Sequence, residues 1–254
     1  MSRARTNPRR KPATQADVER ANLQEARRDE MNVAYNMDCL EAMRTMPDKA
    51  FDLAVVDPPY GIGENGDKNH TRSKIAISKD YKPFSGMDAK PPDKDYFEQL
   101  QRVSKNQIIF GANHFANKLP NPASSCWLVW DKENGENDFA DCELAYTSFP
   151  SAVRIFRFRW QGMLQGDMAN KEVRIHPTQK PVALYRWIFQ HYAKPGDKIL
   201  DTHLGSGSSR IAAYDAGLDF TGYEIDKDYY EKQEKRFESH TAQQSLFVQG
   251  DVAT

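Results

Sequence analysis

Only three cysteines occur in the 254 residues, Cys39, Cys126 and Cys142, and no two form a Cys-x-x-Cys pair. Their scarcity excludes a disulfide framework or a zinc ribbon, and points to a reducing, cytoplasmic setting. No apolar run is long enough for the core of a signal peptide or a bilayer span, so no membrane role is expected. Charge of one sign is not in excess: the formal net charge is -1, which neither invites nor excludes a polyanionic partner. Two nucleotide-binding signatures are missing as well. No glycine run ends in Gly-Lys-Ser/Thr, which excludes a phosphate-binding P-loop, and Arg210 stands where a dinucleotide fingerprint needs its third glycine. No metal site is expected.

What is present suits one α/β domain: 39% hydrophobic and 11% aromatic residues supply a full core, in a chain too short for two comfortable catalytic domains. The first eleven residues hold Arg3, Arg5, Arg9, Arg10 and Lys11 without an acid. Residues 1–30 therefore read as a disordered basic tail, either a phosphate contact or a solvated terminus. The domain itself is expected over 31–245, with a C-terminal tail over 246–254. Short β-rich runs alternate with helical patterns, the signal of a mostly parallel, twisted sheet flanked by helices. Strands are predicted at 32–35, 51–56, 107–110, 126–130, 144–149, 154–160, 198–200 and 220–223. Helices are predicted at 40–46, 93–104, 181–192, 208–216 and 226–239. Two stretches break the rhythm. Residues 61–92, long and polar, read as a mobile functional loop whose Lys68, Arg72 and Lys74 could face DNA. Residues 131–141 read as a surface connection.

Three strings carry chemistry. In Phe51-Asp-Leu-Ala-Val-Val-Asp-Pro-Pro-Tyr60 a buried strand runs straight into a turn stiffened by two prolines. At the carboxyl end of a strand, that turn lies where open α/β sheets bind ligands. Asp57 and the Pro58 carbonyl could accept the two hydrogens of an amine, and Tyr60 could stack on a base; taken alone such a turn is more often structural, and its neighbours reverse that balance. Lys198-Ile-Leu-Asp-Thr-His-Leu-Gly-Ser-Gly-Ser-Ser209 is a strand, a glycine turn and a helix start. Gly205 and Gly207 allow close backbone approach to a ligand, and Glu224, after the next strand, could take both hydroxyls of a ribose. His176-Pro-Thr-Gln-Lys-Pro181 leads into a helix, and its Thr178 and Lys180 suit a carboxylate such as that of a bound amino acid.

Together, in this order, the strings resemble the amino-methyltransferases of DNA over about residues 32–240. Asp57, Pro58, Pro59 and Tyr60 look like the family's catalytic DPPY motif. Asp201, Thr202, Gly205, Ser206 and Gly207 resemble its cofactor loop, and His176, Thr178 and Lys180 its carboxylate-side motif. Asn36-Met-Asp-Cys-Leu-Glu41 is similar to the segment where an acid meets the cofactor adenine, a role that would fall to Asp38; Cys39, Glu224 and Ile225 are further cofactor-binding candidates. The catalytic half precedes the glycine loop, the permuted order of the β group. The resemblance implies a Rossmann-like fold, S-adenosyl-L-methionine as cofactor, double-stranded DNA as partner and a possible homodimer. It also implies direct in-line methyl transfer to a flipped-out base, without a covalent enzyme intermediate. No cysteine follows a proline as in the nucleophile motif of cytosine C5 enzymes. The aspartate of the corner leans towards adenine N6. Cytosine N4, an RNA or protein amide, and a non-catalytic DNA-binding role are the alternatives. The target-recognition insertion, 150–175, is short. Its Arg154-Ile-Phe-Arg-Phe-Arg-Trp160 alternates as a strand does: Arg154, Arg157 and Arg159 are candidate DNA contacts, and the aromatics are equally a packed face.

Overall fold

A computed structural model of the chain describes residues 30–62, 90–135, 140–161 and 164–250. The expected basic tail lies outside the described residues, as do Lys68, Arg72, Lys74 and most of the 61–92 loop.

Eight strands form one sheet: β1 Asn32–Tyr35, β2 Phe51–Val56, β3 Ser104–Phe110, β4 Trp127–Asp131, β5 Cys142–Thr147, β6 Arg154–Arg157, β7 Lys198–Asp201 and β8 Asp219–Tyr223. Among the described residues five helices accompany them: α1 Cys39–Thr45, α2 Lys94–Val103, α3 Val182–Tyr192, α4 Ser208–Asp215 and α5 Lys227–Gly250. Each corresponds to an expected element, with three departures. β6 stops at Arg157 because the chain turns back after it, leaving Trp160 in an isolated bridge with Gln165. Two 3-10 turns, Ala112–His114 and Ala116–Lys118, follow β3 where no helix was expected. α5 runs to Gly250, into the segment expected as a tail, since neither proline nor glycine interrupts it earlier.

The order across the sheet is β1-β8-β7-β2-β3-β5-β4-β6. Only β5 runs antiparallel to its neighbours, β3 and β4. Period-two alternation along β2 splits the core. Leu53 and Val55 pack with α3, α4 and α5 residues such as Ile188, Ala212 and Phe237. Ala54 and Val56 pack with Met43 of α1 and Phe97 and Leu100 of α2. Helices therefore cover both faces, as buried parallel strands require. β2 connects onward to β3 on one side, while β7, its other neighbour, connects to β8 on the opposite side. The crevice between β2 and β7 is a topological switch point, where open α/β sheets take ligands beyond the strands' carboxyl ends.

Candidate active site

Asp57 follows β2 at that crevice. Its Oδ1 accepts the Tyr60 hydroxyl at 2.7 Å and its Oδ2 accepts Lys180 Nζ at 2.5 Å. Lys180 Nζ also lies 3.1 Å from the Tyr60 oxygen and stands over the Phe110 ring at 4.8 Å. The Lys180 side chain is only 4% exposed, so its cost of burial demands countercharge. Asp57 supplies one carboxylate and Glu143 of β5 another, in an ion pair of 3.0 Å. Burial pushes the Asp57 carboxyl above the usual carboxylate range, and Lys180 opposes that rise. Burial would raise Glu143 too, but Lys180 and Lys132 more than offset it and hold Glu143 ionised. Lys180, expected on a ligand's carboxylate, thus already engages two protein carboxylates.

Tyr60 is clamped from several sides. Its ring stacks on His114 with centroids 5.2 Å apart, and it covers Gly111, where an added Cβ would come within 2.0 Å of the ring. Gly111 has φ +66°, a left-handed conformation that glycine adopts without penalty.

The glycine loop sits beside this corner. Glu224, beyond β8, accepts Gly205 N–H at 2.8 Å and Asp226 N–H at 2.9 Å through its two oxygens. Burial raises its pKa, and these two N–H groups work against the rise. Asp201, ending β7, accepts His203 N–H at 3.0 Å and the Ser209 hydroxyl at 2.5 Å. Burial pushes it up to about 7, with the charges of Asp57 and Glu224 adding to the rise. Thr202 is buried and shares a 2.6 Å hydrogen bond with Tyr96. Ser206 pairs with the Ser208 hydroxyl at 3.1 Å. Arg210, in the third-glycine position, is a buried strut: it donates to Asn32 at 2.8 Å, pairs with Glu234 at 2.7 Å and covers the Phe237 ring.

The His176–Pro181 segment packs against the same loop. The His176 ring meets Tyr229 edge-on at 4.4 Å, and a Cβ at Gly205 would lie 3.6 Å from His176 Nε2. Burial, then Lys180 and Lys232, lower His176 to about 3, so the ring is neutral and shares a 3.1 Å hydrogen bond with Thr178. Arg236 fastens the two pieces: it donates to Ser206 O at 2.8 Å and to Glu172 Oε2 at 2.6 Å.

Comparison with known proteins decides the family. The family model described as DNA methylase, that of the N6 and N4 enzymes, matches residues 76–235. The chain belongs to this family. Among curated relatives of this DNA methylase, the type II methyltransferase M.HpaI of Haemophilus parainfluenzae is 23% identical over 239 residues, 80% of this chain and 73% of the relative. M.ScaI of Streptomyces caespitosus is 25% identical over 256 residues, 84% of this chain and 83% of the relative. The fold is shared with the PvuII DNA methyltransferase, a cytosine-N4-specific enzyme, at TM-score 0.53 and 13% identity over 81% of this chain and 86% of that one. It is shared too with M1.HpyAVI in complex with SAM, at TM-score 0.50 and 19% identity over 80% and 98%. The family is S-adenosylmethionine-dependent.

The remaining expected residues of this methylase fall in two places. Asp38 caps α1, its Oδ1 accepting Leu40 N–H at 2.7 Å and Glu41 N–H at 3.1 Å. Cys39 follows it, its thiol pushed up to about 12 by burial and by Asp38, and so unreactive. Ile225 is exposed beyond β8, beside β1. Asp38, Cys39, Glu224 and Ile225 thus share the carboxyl-end edge of β1 and β8. Arg154, Arg157 and Arg159 lie far from this edge, at the β6 end of the sheet, all exposed. Phe156, Phe158 and Trp160 turn inward against the core, and Arg157 lies 3.4 Å from Asp131. Among the described residues no group of His, Cys, Asp and Glu is placed to hold a metal ion, and no helix is long and apolar enough to cross a membrane.

Sequence reasoning missed Glu143, Lys132, His114, Tyr96 and Arg236. Glu143, the second residue of β5, reaches the site because β5 pairs with β3, the neighbour of β2, while β4 on its other side sets it opposite Trp130.

Proposed function

We propose that this methylase transfers a methyl group from S-adenosyl-L-methionine to the N6 amino group of adenine in double-stranded DNA. The observation carrying this reading is the Asp57 corner at the switch-point crevice, beside a glycine loop whose Gly205 N–H is held by Glu224. The residues fit the cofactor: half-buried Gly205 has φ +52° and presents backbone without a side chain, and exposed Ile225 gives an apolar surface beside the Glu224 carboxylate. Asp38, Cys39, Asp57, His176, Thr178, Asp201, Thr202, Ser206, Glu224 and Ile225 would surround it. When bound, S-adenosyl-L-methionine supplies an electrophilic methyl on a sulfonium centre.

The chain's own residues prepare the amine. Each Asp57 oxygen uses one lone pair on Tyr60 or Lys180 and keeps another for an amino hydrogen. The Pro58 carbonyl takes the second hydrogen, which turns the nitrogen lone pair towards the methyl. Positioning of this kind supplies most of the rate in a reaction that needs no enzyme nucleophile. The base must leave the duplex to reach the corner, at a cost of a few kcal/mol. Arg154, Arg157 and Arg159 supply phosphate contacts that repay part of it.

Cytosine N4 is the second reading, favoured by the fold likeness to the cytosine-N4-specific PvuII enzyme. The test is incubation of unmethylated duplex DNA with labelled S-adenosyl-L-methionine, followed by digestion and mass spectrometry of the nucleosides. N6-methyladenine is expected from the wild type and none from Asp57→Ala. N4-methylcytosine would replace the base assignment, and wild-type turnover by Asp57→Ala would overturn the site.

A further inference from the structure

Four charged side chains alternate in sign on their way into the active site. Lys132, at the end of β4, lies 2.5 Å from Glu143 Oε1. Glu143 Oε2 lies 3.0 Å from Lys180 Nζ, which lies 2.5 Å from Asp57 Oδ2. Tyr60 closes the inner end on Asp57 Oδ1 at 2.7 Å. All four charged side chains are at least three-quarters buried, with exposures of 17% for Lys132, 22% for Glu143, 4% for Lys180 and 15% for Asp57. Two anions and two cations balance, so no net charge is buried. A buried ion pair is weak evidence of stabilisation, because desolvation consumes most of the Coulomb gain. Holding one group at the reacting centre in one geometry and charge state is a better account of its presence.

We propose that Glu143 is a positioning residue for methyl transfer: it fixes the Lys180 ammonium, which in turn holds the Asp57 carboxylate aimed at the acceptor amine. This rests on Asp57 as the residue that receives that amine. Without Lys180 nothing of like strength would oppose the upward push of burial on this carboxyl. A protonated Asp57 presents a donor to the amine where an acceptor is needed. Glu143 keeps Lys180 from swinging fully onto Asp57 and blocking both oxygens. Among the described residues the other titratable groups near this corner are Tyr60, Tyr185 of α3, Tyr96 of α2, Asp201 of β7 and His114, stacked on Tyr60, while His176 faces Lys180 and stays neutral.

The two inner charges act on Asp57 with opposite sign, and that separates this role from a structural one. The experiment is the pH profile of the single-turnover methylation rate on unmethylated DNA made by polymerase amplification, with binding of S-adenosyl-L-methionine measured alongside. Lys180→Met should move the acid limb to higher pH, and Glu143→Gln should move it to lower pH, each by about one unit or more. Both should lower the plateau rate, while cofactor Kd stays within about two-fold. Lys180→Arg, which keeps the cation, should restore the limb. If Glu143→Gln does not fold, Glu143→Asp keeps the charge with a shorter reach, and should lower the plateau with the limb unmoved. Limbs unmoved in both Lys180→Met and Glu143→Gln would overturn the proposal, as would a loss confined to cofactor binding. Asp57→Asn distinguishes the two levels. Wild-type turnover in that variant sinks the site itself, whereas an inactive Asp57→Asn with unmoved limbs in the others sinks only the relay.

Discussion

Replacing Gly111 by alanine should damage both stability and turnover, through two costs that the structure separates. The first is backbone. At φ +66° an L-residue pays about 1–2 kcal/mol for the left-handed conformation. The residue cannot relax cheaply, because its N–H donates to Leu144 O at 2.9 Å and its carbonyl accepts His114 N–H at 2.9 Å. The second is steric. The new methyl would stand 2.0 to 2.4 Å from three atoms of the Tyr60 ring, and that ring is held by Asp57 and His114. Forcing a methyl into packed surroundings costs about 1–3 kcal/mol more. The total, about 2–5 kcal/mol, corresponds to a Tm lower by about 5–15 °C in a domain of this size. Tyr60 would yield by moving off Asp57, and a misplacement of about 1 Å costs roughly a hundred-fold in rate. Gly217→Ala is the control: φ is +64° there and nothing lies within 4 Å of the added Cβ, so only the backbone cost applies. Differential scanning calorimetry and the single-turnover rate would be measured on both. Equal Tm losses in the two variants, with normal methylation by Gly111→Ala, would refute the reasoning.

Three other outcomes follow from the same geometry. Asp201 sits above the ordinary carboxyl range, at about 7; for an acid raised on folding, stability is full below the unfolded pKa and is lost as pH rises to about 7. Asp201→Asn escapes that loss, so its Tm should gain on wild type as pH rises from about 4 to 7, and a gap constant with pH in parallel melts would count against it. Arg236→Met leaves Glu172 half-buried without its cation; urea unfolding should show a loss of about 2–3 kcal/mol after allowing for partial exposure, together with weaker cofactor binding through the released Ser206 carbonyl. Arg154, Arg157 and Arg159 changed together to alanine should reduce the slope of log Kd for duplex DNA against log salt by about one per lost phosphate contact; an unchanged slope would remove β6 from the DNA interface.

Local rules reached far into this chain because its elements are strongly patterned. β2 was legible to the residue, since a buried parallel strand reads as a short apolar run bounded by turns, and β1, at the sheet edge, matched its predicted bounds as well. The strand ends bearing Asp57 and Asp201 were legible too, because two prolines follow the first and a glycine turn follows the second, and Glu224 was found as the acid just after the next strand. Elements set by tertiary contact were not. The 3-10 turns after Gly111 depend on the packing of Phe115 and Tyr60, and the early end of β6 depends on Trp160, whose indole N–H donates to Gln179 O at 2.7 Å.

By itself the amino-acid sequence determined the α/β class, the membership hinted by three ordered motifs, and the corner at which an amine would be received, because each is written in residues adjacent in the chain. Only the tertiary structure decided what surrounds that corner. Lys180 lies 123 residues from Asp57, and Glu143 comes from a third part of the chain, the strand paired with β4. Ion pairs of this kind form between groups that share no local pattern, and are specified by strand order, by register and by the cost of leaving a buried charge alone.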